Sequence, residues 1–380
     1  MKGLLITLLI LTPITFVLYY SNFGAIGAVL DTRKEVVVVS ISLLILSLFA
    51  LIKKRKKIYM GFTVLTLIIT VLSVKEYFFT YDEKEVMFEN EGNQLYGTLY
   101  QPKSQEARCL VVFIHGSGSE DRGEYAFHAR NLARSGVAAF AYDKRGSGRS
   151  EGDTYETGYQ GYAGDAVAAI EKIRKTYPFE KTGLFAFSEG EWVSLIIDSL
   201  IPVDFIVMVS PSGTSPLKQT VREMTYRLER KGFTENEIEE AKNLYTDILT
   251  FKNDPAARKL IEERIAVLRD KDWFKAGEEF SEELYFYPWW NQVMYFQPET
   301  YLEASHTEIL VISGRENESF PPEETVKNFQ KYKGVETVIL EEGDHAMLTW
   351  PLGKGVPPPF YADQYENTYL SWIHDKCKED

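Results

Sequence analysis

Six nearly unbroken apolar runs, separated by segments with helical periodicity, limit this chain to one kind of architecture. They are Leu110–Ile114, Val137–Tyr142, Thr182–Phe187, Val203–Val209, Glu308–Ser313 and Val335–Leu340. A strand that is apolar at every position has both faces buried. Helical crossovers between such strands imply a parallel sheet covered on both sides. The helical patterns at Glu124–Ser135, Gly161–Lys175, Glu189–Leu200, Glu323–Tyr332 and Asp363–Lys376 supply the cover. Ahead of them, Glu85–Glu89 and Leu95–Tyr100 read as short strands joined by the turn-forming Asn90-Glu91-Gly92-Asn93. The alternation stops at Ser210 and resumes near residue 301. The expected organisation is an α/β domain over 81–213 and 301–380, interrupted by a helical insertion over 214–300.

Residues 1–80 follow a different rule. Gly3–Tyr20, Val36–Ile52 and Ile58–Val74 are uncharged apolar stretches of 17 or 18 residues, at the short end of what spans a bilayer as a helix. Three transmembrane helices are therefore expected over 3–20, 36–52 and 58–74. Five consecutive cations, Lys53 to Lys57, separate the second and third stretches. The positive-inside rule puts them and the N-terminus in the cytoplasm, and everything after Lys75 outside it. The spans hold no acidic or basic residue to line a path, which argues against a channel or transporter. Residues 1–81 carry nine cations and three acids, and the remainder carries −19 of the total −13 net charge against their +6. Nucleic acid is excluded as a partner by that acidity. Cys109 and Cys377 match no metal-ligand spacing; two inert thiols are expected, with a single bridge as the alternative outside the cytoplasm.

The chemistry is expected where the third crossover strand meets its helix, at Leu184-Phe185-Ala186-Phe187-Ser188-Glu189-Gly190. A serine between small residues at −2 and +2 in that place is a nucleophile elbow, because the turn is too tight for bulk on either side. The Glu189 amide, at the helix N-terminus, can stabilise an oxyanion. His115-Gly116-Ser117-Gly118 follows another strand, where the second oxyanion donor belongs, and the Ser117 amide is the candidate. Chain order on such a sheet runs serine, acid, histidine. Only His345, in Glu342-Gly343-Asp344-His345, lies just past a strand of the last sheet unit. His128 and His374 fall on helical patterns, and His306 lies at the wrong end of a strand.

With these residues in place, 84–212 and 306–374 resemble the α/β-hydrolases of the esterase, acyl-thioesterase and serine-aminopeptidase-like group. The signature stretches are Tyr96-Gly97-Thr98-Leu99, His115 to Arg122, Tyr142 to Ser150, and Phe187-Ser188-Glu189-Gly190. The resemblance implies an α/β-hydrolase fold with a helical cap, and gives Asp143 and Arg145 structural roles. Three departures stand out. Ala186 replaces a glycine, Glu191 stands where relatives often have glycine, and the acid position three residues after Gly314 is Asn317. Glu316 or Glu318 could supply the missing carboxylate from the same loop. Asn317-Glu318-Ser319 also matches a glycosylation sequon.

Between Trp273 and Phe296 there are ten aromatic residues. Some would line an acyl or aryl pocket over the strand ends, and the others would form the core of the insertion; contact with a lipid surface is a third use for them. Two functions follow. One is a membrane-anchored serine hydrolase that cleaves an ester, thioester or amide of a small or lipid-like acyl substrate, without metal or organic cofactor. The other is a pseudohydrolase that binds a ligand or partner without turnover. The sequence leaves the oligomeric state open.

Overall fold

The computed structural model describes residues 33–54, 57–103, 106–277, 288–351, 353–354 and 360–378. The apolar runs form one eight-stranded sheet: β1 (Tyr81–Asn90), β2 (Asn93–Pro102), β3 (Cys109–Ile114), β4 (Ala138–Tyr142), β5 (Lys181–Phe187), β6 (Phe205–Val209), β7 (Glu308–Gly314) and β8 (Val335–Leu340). Their spatial order is β1-β2-β4-β3-β5-β6-β7-β8. The β1–β2 hairpin joins β4 in antiparallel fashion, and every later pairing is parallel. Every residue of β3, β4 and β6 is buried, as continuous apolar runs require.

Each face of the sheet carries its own core. Leu110, Val112 and Ile114 point to one side with Ala163, Ile170 and Ile196. Val111 and Phe113 point to the other with Leu132, Tyr369 and Ile373. Period-two alternation along β3 thus feeds two helical layers. At the N-terminal end of β3, Cys109 is bonded to Cys377 at the end of the last helix, Tyr365–Lys376, with Cα atoms 5.7 Å apart. The thiols are therefore bridged, contrary to the expectation of two inert cysteines. Spacing could not reveal this, because the pair is brought together only when the last helix packs on the sheet.

Between β6 and β7 the chain forms a separate helical layer. Ser215 caps its first helix, Pro216–Arg230, with proline in the first turn, where no amide hydrogen is missed. A capping box between Thr234 and Glu237 starts the next helix, Glu235–Thr250. These helices and Pro255–Leu268 close on Leu228, Leu244, Ile248, Ile265 and Trp273. The helix Pro298–Ala304 runs across the expected boundary at 300 and packs on the sheet's own helix Gly190–Leu200.

Two further helices precede the sheet, Arg33–Lys54 and Lys57–Phe79, packed against each other. Their seam buries hydroxyls: Ser40, Ser47, Thr63, Thr66 and Thr70. Ser47 and Thr66 are hydrogen-bonded at 2.9 Å, and Thr70 donates to the Ser40 carbonyl at 3.1 Å. Ile45, Phe49, Ile52 and Val71 face outward, 57–74% exposed. Among the described residues no helix is long and apolar enough to cross a membrane. The expected spans 36–52 and 58–74 fall on these two helices, neither of which meets that requirement. The expected span 3–20 lies outside the described residues.

Candidate active site

The turn after β5 holds Ser188 at φ +50°, in the left-handed region that side chains rarely occupy. Its amide donates to Val209 at 2.9 Å, which ties the turn to the end of β6. A Cβ on Gly190 would lie 2.6 Å from the Ile114 carbonyl oxygen, so only glycine lets the helix start this close to β3. Such a turn pushes the serine side chain into the open.

His345 reaches Ser188 from the loop after β8, with Nε2 3.0 Å from Oγ. Its backbone is held on both sides. The amide donates to Glu318 at 3.3 Å, and the carbonyl accepts the Ser210 hydroxyl at 2.6 Å. Burial pulls the imidazole below its ordinary range, against the upward pull of Glu318 and Asp344 and with Arg227 pushing further down. The ring is therefore neutral near pH 7, the state a general base needs.

Asn317 lies behind the histidine, fully buried, with Oδ1 3.2 Å from Nδ1. The same oxygen accepts the backbone amides of Ser319 at 2.9 Å and Phe320 at 3.3 Å. Backbone amides can only donate, so the atom facing them is the oxygen and the side chain cannot be flipped. Nδ1 of His345 must then carry the hydrogen, and Nε2 is left with its lone pair towards Ser188. Among the described residues, Asn317 Nδ2 has no hydrogen-bond partner.

The alternative acids do not replace it. Among the described residues, neither Glu316 nor Glu318 is hydrogen-bonded to the His345 ring. Glu316 is exposed and lies 3.7 Å from Arg230. Glu318 pairs with Lys354 at 3.0 Å; burial raises its carboxyl, but the ammonium outweighs that and leaves it below the usual range. Among the described residues the expected Ser–His–Glu arrangement is not formed: the Glu318 carboxylate reaches the His345 backbone amide and Lys354, and Glu316 lies by Arg230. Full burial of Asn317 also removes the sequon as a glycosylation site.

Among the described residues, the amides of Ser117 and Glu189 make no hydrogen bond within the chain, and both residues line the pocket with Ser188. They are free to donate to an oxyanion. His115 is buried, with Nε2 2.6 Å from the Tyr142 carbonyl. His128 is buried against Tyr369. Asp143 accepts the Arg122 and Arg149 amides, and Arg145 forks onto Asp165 at 2.6 and 2.8 Å. Both are structural. Glu191, expected to add charge near the site, turns away from it. Its carboxylate accepts the Ser212 and Gly213 amides at 2.7 and 2.8 Å where the chain leaves the sheet for the cap. Burial pushes that carboxyl up to about 8, against the pull of those hydrogen bonds.

The pocket has a volume of about 340 Å³. Trp192, Trp289, Trp290 and Met294 make its apolar wall. The cap helix Pro216–Arg230 makes the other, with Gln219, Glu223 and Arg227 on one face at intervals of four. Glu223 accepts from Gln219 at 2.8 Å and from Arg227 at 2.6 Å. This polar ladder escaped the sequence reading, although its spacing after a serine cap was legible. Of the ten aromatic residues, Trp273 and Phe274 are cap core. Trp289 packs on Tyr155 and Tyr159 and also faces the pocket. Phe280, Tyr285, Phe286 and Tyr287 lie outside the described residues.

Comparison with known proteins bears on the fold. The serine aminopeptidase (S33) family matches residues 105–243. A monoglyceride lipase homolog of monkeypox virus is 30% identical over 124 residues, 32% of this chain and 44% of that protein. Rat monoglyceride lipase is 26% identical over 147 residues, 36% and 48% of the two chains. The chain thus spans less than half the length of the curated relatives it matches. A hypothetical protein from Pseudomonas aeruginosa, at 14% identity, superposes with a TM-score of 0.52 over 78% of this chain and 94% of its own. The matched stretch contains Ser117 and Ser188, and the sheet extends beyond it on both sides: the chain has an α/β-hydrolase fold and is similar over this stretch to serine aminopeptidase-like and monoglyceride lipase proteins.

Proposed function

We propose that this protein is a membrane-tethered serine hydrolase that cleaves an ester or thioester of a lipid-like acyl substrate. The observation that carries the reading is the 3.0 Å contact of His345 Nε2 with Ser188 Oγ, on the floor of a pocket walled by tryptophans. His345 takes the serine proton as Oγ attacks the carbonyl carbon, and the oxyanion is held by the Ser117 and Glu189 amides. The proton passes to the leaving group. Water, activated by the same imidazole, then releases the acyl group from Ser188. An amide substrate would use the same steps. The likeness to monoglyceride lipases favours a single-chain acyl ester, and the apolar wall suits such a chain. The Gln219–Glu223–Arg227 ladder would meet its polar end.

The tether rests on the helix pair before the sheet. A pair whose seam mixes buried hydroxyls with Leu43 and Ile69 while isoleucine, phenylalanine and valine face outward differs from one that packs in water. It is the arrangement expected where the surroundings are lipid. Lys53 to Lys57 place its loop in the cytoplasm, and the Cys109–Cys377 bridge suits an oxidising compartment for the sheet domain.

Labelling the intact protein with a fluorophosphonate, beside Ser188→Ala and His345→Ala, tests the chemistry. Labelling of the parent that is lost in Ser188→Ala is expected, followed by turnover of p-nitrophenyl esters. A folded parent that takes no label would leave a binding protein in its place. Membrane fractions tested for accessibility to added protease decide the tether. Release of the protein by alkaline carbonate would rule it out.

A further inference from the structure

Behind the two oxyanion amides lies a side chain that the reaction itself does not use. Lys144, in the loop after β4, is buried, and its Nζ donates to the Gly116 carbonyl at 2.8 Å and to Glu189 Oε1 at 2.9 Å. It also lies 4.4 Å over the Tyr162 ring. The Gly116 carbonyl and the Ser117 amide belong to one peptide plane, and in a trans peptide they point in opposite directions. Fixing the oxygen from behind therefore aims the Ser117 hydrogen forward. The preceding peptide is fixed too, since the Gly116 amide donates to Glu120 at 2.8 Å and to the Tyr125 hydroxyl at 3.1 Å. On the other side, Glu189 is the residue whose backbone supplies the second donor.

We propose that Lys144 is a positioning residue that sets the spacing and direction of the two oxyanion donors, one through its peptide and the other through its side chain. The proposal rests on the serine hydrolase reading above. It assigns Lys144 to no step of proton transfer. A donor displaced by a fraction of an ångström binds the developing oxyanion less well while ground-state binding is hardly altered. The loss should therefore fall on kcat.

The test compares the full-length parent with Lys144→Met and with the double variant Lys144→Met/Glu189→Gln, using a p-nitrophenyl ester and the fluorophosphonate. The double variant leaves neither of the paired charges buried alone, so it guards against simple misfolding. Expected is a fall in kcat of about 10-fold or more in both, within the cost of a lost oxyanion donor, with KM within a factor of about three. Labelling of Ser188 should slow in parallel. Parent-like kcat in a folded double variant would overturn the proposal, since Lys144 would then serve only to neutralise Glu189. A fall carried entirely by KM would overturn it as well. Failure of the parent itself to label would sink the underlying hydrolase reading, which is a separate outcome.

Discussion

Asn317 offers its side-chain oxygen to His345 Nδ1 at 3.2 Å while its own Nδ2, fully buried, has no partner. An amide in this position is damaging when it turns its nitrogen to the ring, because the histidine then presents the wrong tautomer; that costs ~10⁴ in a well-known serine protease. Here the Ser319 and Phe320 amides hold the oxygen in place. What the ring lacks is a carboxylate bonded to Nδ1; Glu318 and Asp344 favour the imidazolium only from elsewhere in the site.

Restoring that charge should raise activity. Asn317→Asp keeps every acceptor and removes an unpaired donor, so kcat should rise about 10- to 100-fold, less than the full ~10⁴ assigned to charge and tautomer together. Steady-state kinetics on a p-nitrophenyl ester measures it. An unchanged or lower kcat in a folded variant would mean that the site is not limited by its third member.

The pH profile should move with it. Burial places the His345 imidazole below its ordinary 6.5, so it stays an unprotonated base to lower pH, and the acid limb of kcat/KM should lie below 6.5. A carboxylate beside Nδ1 favours the protonated ring and raises its pKa. In Asn317→Asp the limb should therefore shift to higher pH, the opposite of what a faster but otherwise unaltered enzyme would show.

Glu191 should matter for stability rather than chemistry. Glu191→Ala leaves the buried Ser212 and Gly213 amides without acceptors, at about 1–3 kcal/mol each. Urea unfolding should show a loss of about 2–4 kcal/mol. Ser188 labelling should persist at temperatures where the variant remains folded.

Reduction of the Cys109–Cys377 bridge should have a similar character. Cys109 begins β3, at the end of the strand opposite the site, so reduced protein should keep its Ser188 labelling. Its stability should fall by about 2–4 kcal/mol, read as a lower melting temperature with reductant. No shift would mean that the thiols are not joined.

Much of this was legible because short-range signals carried it. Apolar runs pointed to the parallel sheet, and small residues around Ser188 and His345's place after a strand pointed to the two side chains that the structure brings together. The third member was a matter of three-dimensional aim. From sequence, Glu316 and Glu318 were as near to the histidine as Asn317, and only the course of the loop turns them to Arg230 and Lys354. Lys144 was read as part of a signature and given no role, because its two partners lie 28 and 45 residues away. Glu191 was visible as an anomaly, but its targets lie across the chain's exit into the cap. Pairings of that range are decided by packing, which periodicity does not encode.

The cap's place in the chain has a temporal consequence. Ser188 and His345 are 157 residues apart, on opposite sides of the helical insertion. During synthesis the elbow, both oxyanion amides and Lys144 emerge first, and the whole cap must follow before the base arrives. A growing chain therefore carries an inert alcohol rather than a reactive serine. The site is armed only after the sheet has gained its last two strands, so a chain threaded through a membrane would stay chemically silent until its folding domain was across.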